Sequence, residues 1–345
     1  MTTVKRDGSK FCIRGVDRLT SAATANSVMG ALAAALHAIG DPVAYDYLMG
    51  VSGAAFRIQV HEDGLCARSP NSGRGYPCKL AVCDALDYEL EWMDVPEDAD
   101  GRTALAERIR AGIDRGAPVL FNYNECALAG GYESGVPGFL LRTFGDKTDS
   151  YTHSDGWPAD IGIIGGRKDV RPMRERVIYE AIDRAEMLAA TAQFDAYLCG
   201  FAAWDRWIEL LNDETRYLHM DRSQIEHEMK GNAWICESLH DARTAAGRFL
   251  HSIAKDCPEE MRQHILTAAT TYDHMVRNVL AHAFTEELAP YPNKDLPVDA
   301  WTSHLRHGMS LKLRQARLLE RQAVGALAMV RHTRRMSPHV LAGAA

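Results

Sequence analysis

The hydrophobic period of the chain changes near residue 172, and that change constrains the fold more than any single motif. From 173 to 331 nearly every stretch repeats its apolar residues at helical spacing, with breaks near Asp213, at Asp256-Cys257-Pro258 and at 289–293. The expected helices cover 172–192, 196–212, 221–254, 258–287 and 298–332. In the last of them Leu305, Met309, Leu313, Ala316, Leu319, Ala323, Leu327 and Val330 fall on one stripe. Such a run packs as a helical bundle or as a layer of helices on a neighbouring domain.

Before residue 172 the pattern is mixed. Residues 56–60, 119–122, 138–142 and 160–164 read as strands, and 26–40, 45–49, 78–87 and 101–115 as helices. Residues 69–77 and 145–158 read as loops, Gly50-Val51-Ser52-Gly53 as a turn, and Gly130, Gly131 and Gly135 as the turn residues of a hairpin. The stretch 26–40 is poor in charge and rich in Ala and Gly, so other elements can approach its backbone. Thr20 and Ser21 are candidate N-caps and Gly40 a candidate stop. Ser27 lies near its start, where unpaired N–H groups and the helix dipole favour developing negative charge.

A net charge of −7 speaks against nucleic acid as a partner, because neutralising phosphates needs a basic face. No apolar run reaches the roughly 18–20 residues that span a bilayer, so no membrane partner is expected. The first residues lack the apolar core of a signal peptide, and the eight cysteines are scattered without a Cys-x-x-Cys pair. These features read as reduced thiols and a cytoplasmic location.

The helix 26–40, the stretch Leu48-Met49-Gly50-Val51-Ser52-Gly53-Ala54-Ala55-Phe56-Arg57, Gly116-Ala117-Pro118-Val119 and Gly131-Tyr132-Glu133 together carry a resemblance. Over about residues 10–170 the chain resembles the N-terminal domain family of butirosin biosynthesis protein H, relatives of the C39-like, papain-fold peptidases. The resemblance implies an α+β fold, with a papain-like domain over 1–170 and a helical region over 171–345. It also implies acyl transfer or amide hydrolysis by a thiol at the start of the central helix, assisted by a histidine. Here Ser27 stands at the cysteine position, and Ala159 or Asp160 at the histidine position.

The preferred reading is therefore an acyltransferase or amidohydrolase of specialised metabolism. Its substrate is a small molecule, free or bound to a carrier protein, and no cofactor is expected. Ser27 is its nucleophile, Asn26 its oxyanion donor, and His153 or Asp160 its base. Each has a plainer reading: Ser27 as a helix-start residue bonding backbone, and His153 with Asp155 as a solvated loop. Tyr132, Glu133, Ser52 and Gly53 are candidate substrate contacts, since glycine-flanked turns let ligands approach the backbone, yet they also suit an ordinary hairpin tip and tight turn. A competing class is a non-catalytic small-molecule or partner-binding protein that kept the shape and lost the reactive pair. A third is a metal enzyme in the helical half, where Glu237 and His240 form an Glu-x-x-His spacing without the second copy that a di-iron bundle needs. Apolar surface on the long C-terminal helices points to a homodimer.

Overall fold

The computed structural model describes residues 4–19, 25–71, 73–281 and 297–336. In chain order the strands are β1 (Val4–Asp7), β2 (Lys10–Ile13), β3 (Gln59–His61), β4 (Tyr88–Asp94), β5 (Val119–Asn122), β6 (Cys126–Glu133), β7 (Phe139–Arg142), β8 (Thr152–Ser154), β9 (Asp160–Arg167), β10 (Gln193–Phe194) and β11 (Tyr197–Cys199). The helices are α1 (Ser27–Ala38), α2 (Tyr45–Ser52), α3 (Cys78–Ala81), α4 (Ala99–Asp114), α5 (Arg174–Ala190), α6 (Gly200–Asn212), α7 (Glu214–Leu218), α8 (Arg222–Ala254), α9 (Glu259–Met275) and α10 (Ser303–Met336). The fold is α+β, with antiparallel sheets of eight and three strands among the described residues. No helix of the described residues is long and apolar enough to cross a membrane.

Two units divide the chain: Met1–Leu48 with Lys79–Pro172, and Met49–Cys78 with Met173–Ala345. The last crossing falls between residues 172 and 173, two residues beyond the end of the domain that the resemblance implies. Residues 49–78 differ from that reading, because they belong to the helical unit rather than the first domain. The physical reason is pairing and packing. β3 is the edge partner of β11, and the Gly50 backbone lies under the Phe249 ring of α8.

The first unit is a sheet ordered β1-β2-β6-β5-β9-β4, with β7 and β8 added beside β6. α1 packs on β5 and β6, and α4 on β2, β5, β6 and β9. Continuous apolar runs bury β5 and β6 (Val119, Leu120, Phe121, Leu128), as expected of central strands covered on both faces. Asn26 caps α1, its side-chain oxygen accepting from the Met29 N–H at 3.1 Å. The candidates Thr20 and Ser21 lie outside the described residues. At the other end Gly40 takes φ +85°, which a side chain would disfavour, and its N–H reaches the His37 carbonyl.

Several local expectations differ from the structure. Residues 78–87 hold one turn of α3 and a 3-10 turn rather than a full helix. β4 follows, held by pairing with β9 rather than by its own weak alternation. β6 continues through Gly130 and Gly131 to Glu133, with a shift of register against β7 at Gly130, so these glycines are not a hairpin turn. A Cβ on Gly130 would press on the Tyr151 hydroxyl, and one on Gly131 on the Phe11 carbonyl. Close packing is therefore what those two positions require.

In the second unit α8 and α10 pack on α9, and α10 also on α5 and α6. α8 starts with a capping box: Asp221 accepts from the Gln224 N–H, and the Gln224 side chain accepts from the Asp221 N–H. At the centre Arg243 and Glu320 form a buried two-pronged pair at 2.7 and 3.0 Å, with Tyr272 donating to the same carboxylate. The second side of the guanidinium donates to the Ala55 and Arg57 carbonyls. Thus the stretch 50–57 is shaped by its own bundle. α9 ends in a wide turn at Val276–Leu280, and the expected continuation to 287 passes outside the described residues.

Candidate functional site

Ser27 is the first residue of α1 and is half-buried. Its hydroxyl oxygen accepts the Cys126 N–H at 3.0 Å. Among the described residues no titratable side chain hydrogen-bonds that hydroxyl. Asn26 uses its side-chain oxygen on the helix cap, and its N–H donates to the Tyr45 hydroxyl at 3.2 Å. The cap accounts for the side-chain oxygen; an oxyanion donor would use the amide nitrogen of the same side chain, which the cap does not engage.

The residue that the fold sets against Ser27 is Cys126, which the sequence reading missed. Cys126 begins β6 opposite Asn122 at the end of β5, and Asn122 in turn pairs with Asp160 at the start of β9. At the usual strand spacing the backbones of Cys126 and Asp160 are about 10 Å apart. The Asn122 side chain donates to Asp160 Oδ2 at 2.9 Å, and the Lys79 ammonium meets the same oxygen at 2.8 Å. That ammonium also sits 5.0 Å above the Trp92 ring. Asp160 Oδ1 is buried with no hydrogen-bond partner. Burial pushes the Cys126 thiol well up, and the Asp160 charge adds to this, so the thiol stays protonated. The sequence signal for this cluster is Asn122: a lone polar residue closing an apolar run, four residues before the next strand opens.

His153 is not brought to Ser27. It lies on β8, a strand within the stretch expected as a loop, and its Nε2 contacts the Pro137 carbonyl at 2.9 Å. Through Leu140 it aligns with Gly131, five residues along β6 from Cys126, or about 15 Å along the strand. Asp160 is close to Cys126, but its Oδ2 is already taken by Lys79 and Asn122.

The candidate substrate contacts are likewise occupied by the protein itself. Tyr132 stacks on Phe11 at 4.8 Å and donates to Asp114 at 2.9 Å, while Glu133 accepts from the Ser9 hydroxyl at 2.8 Å. Ser52 belongs to the second unit and is fully buried. Its hydroxyl donates to the Met49 carbonyl and accepts the Ala54 N–H. Gly53 takes φ +84° and faces Arg184 and Leu188 at a distance that leaves no room for a side chain. Glu237 and His240 gather no third ligand, since no group of three His, Cys, Asp or Glu among the described residues is arranged to hold a metal ion.

Two clefts open on the first unit, and neither is lined by Ser27. One, of about 520 Å³, follows the outer face of α1 at Gly30, Ala33, Ala34 and His37, whose Nδ1 contacts Asp17 at 2.9 Å. The other, of about 430 Å³, lies between α4 and the β7–β8 hairpin, with Arg102, Arg110, Phe139 and Trp157 in its walls. Phe139 and Trp157 meet edge to face at 6.2 Å. Arg110 is half-buried and, among the described residues, makes no hydrogen bond or ion pair. It only faces the Tyr132 ring at 5.7 Å. No protein-family model matches the chain, and no curated protein matches it.

Proposed function

We propose that the chain is a non-catalytic small-molecule-binding protein built on a papain-like, C39-like framework that has lost its reactive pair. One observation carries the reading: the Ser27 hydroxyl is engaged by the Cys126 N–H, and no described titratable side chain bonds it. A serine hydroxyl is a weak nucleophile until a neighbouring base takes its proton. The nearest such group by pairing is a buried thiol held in its protonated form, which cannot act as that base. A helix whose first turn abuts a central strand pair supports the papain-like framework that the resemblance implies.

Ligand binding fits best in the cleft beside α4. The walls carry both signs, Arg102 and Arg110 with Glu97 and Asp155; the half-buried Arg110 guanidinium, which makes no ion pair among the described residues, would take a carboxylate or phosphate group, and Phe139 and Trp157 give an apolar wall for the rest of the molecule. The test is turnover of an acyl N-acetylcysteamine thioester and of a small amide by the native chain and by Ser27→Ala. The reading expects equal rates, both at the uncatalysed background. A rate that depends on Ser27 restores acyl transfer as the function.

A further inference from the structure

The outer face of α10 carries an apolar stripe in helical register. Leu311, Leu318, Met329 and Met336 are 51%, 58%, 44% and 71% exposed. Their separations of 7, 11 and 7 residues bring all four within about 20° of one another around the helix. They extend over about 37 Å at 1.5 Å per residue. Single exposed apolar residues are ordinary on any protein; four aligned over seven turns of one helix are not.

Charge is arranged around the stripe in a definite way. Arg314 and Arg321 follow one side of it, and Gln315 and Gln322 the other. The single acidic residue of α10, Glu320, is buried on the opposite side against Arg243. Arg317, Arg331 and Arg334 point to the flanking helices, where they pair with Asp205, Glu186 and Asp183. Among the described residues Arg314 and Arg321 make no ion pair; Arg321 only faces the Phe201 ring at 5.6 Å. Asp205, Glu209 and Asp213 share a groove with Arg314 but are already used, the first by Arg317, the second by Arg206 and the third as the cap of α7. The charges left over beside the stripe, among the described residues, are thus the two arginines, in a chain whose net charge is −7.

We propose that the outer face of α10 docks an acidic amphipathic helix of a partner protein. The partner lays an apolar stripe along Leu311, Leu318, Met329 and Met336 and sets its acids against Arg314 and Arg321. A second copy of this chain fits less well. Set antiparallel, two α10 helices oppose arginine to arginine; set parallel, they oppose arginine to glutamine. Neither arrangement supplies an acid. This surface belongs to the second unit and does not depend on the reading of Ser27.

The experiment uses the full chain and a fluorescein-labelled synthetic helix of about four heptads, with Leu at the core positions and Glu at the flanks. A twin peptide carries Lys in place of Glu. Fluorescence anisotropy is expected to show the Glu peptide binding about tenfold or more tightly than its twin, and less tightly as salt rises. Leu318→Glu should weaken it about tenfold or more. Arg314→Gln with Arg321→Gln should remove the preference for Glu over Lys. All three positions are exposed, and circular dichroism with a melting curve verifies that the variants fold. Equal binding of the two peptides, absence of binding, or indifference to Leu318→Glu would overturn the proposal. So would sedimentation of the chain alone as a dimer that Leu318→Glu dissociates, since a second copy would then occupy the face.

Discussion

Two buried ion pairs, one in each unit, are satisfied to different degrees. In the helical unit every guanidinium nitrogen of Arg243 donates, to Glu320 or to the Ala55 and Arg57 carbonyls, and both carboxylate oxygens accept. In the sheet unit Asp160 puts one oxygen on Lys79 and Asn122 and leaves the other buried and unmatched. A complete polar network fixes one arrangement of the elements that meet in it. An incomplete one leaves a group whose desolvation is not offset by the fold alone. The first is the mark of structure. The second lies two strand spacings from Cys126, across β5, on the side where the proposed papain-like framework would carry chemistry.

Breaking each pair should separate them. Glu320→Leu strands a buried guanidinium and should cost about 3–5 kcal/mol of unfolding free energy, read by urea denaturation, with Arg243→Met added to Glu320→Leu recovering most of it. Asp160→Asn should cost less, about 1–3 kcal/mol, because the Lys79 side chain is 19% exposed and can turn to water. Equal costs would erase the distinction between the two sites.

A smaller effect sharpens the contrast through pH. Burial holds the His240 imidazole of α8 below its ordinary value of 6.5. The unfolded chain therefore takes up this proton first. Its contribution to stability is complete above pH 6.5 and is lost as pH falls through that value toward the lower folded value. His240→Gln should flatten the stability-versus-pH curve in this window and leave it unchanged above. A slope that survives the substitution would place the titration elsewhere.

The helical half was legible because its signals are local. The apolar period, the Asp221 capping box and the break at Pro258 put α8 at Arg222–Ala254, within one residue of the sequence expectation. Strands β4 and β8 were not legible, since each is fixed by a partner far along the chain rather than by its own alternation. The site shows the same split. Ser27 at the start of α1 could be read from the sequence, whereas Cys126 reaches it only through the β5–β6 pairing, and Asn122 and Lys79 gather on Asp160 from β5 and from α3. Glycines 50, 53, 130 and 131 were ambiguous for a related reason. A glycine that admits a ligand and one that admits a neighbouring side chain look alike until the neighbour is placed, and here Phe249, Arg184, Tyr151 and Phe11 take the space.

The proposed non-catalytic function requires that the Ser27 hydroxyl, without a base, does not react. Intact-mass measurement of the native chain after exposure to a fluorophosphonate tests this without knowledge of a substrate. An unmodified mass is expected, the same as for Ser27→Ala treated alike. A single adduct that maps to Ser27 and disappears in Ser27→Ala would contradict it.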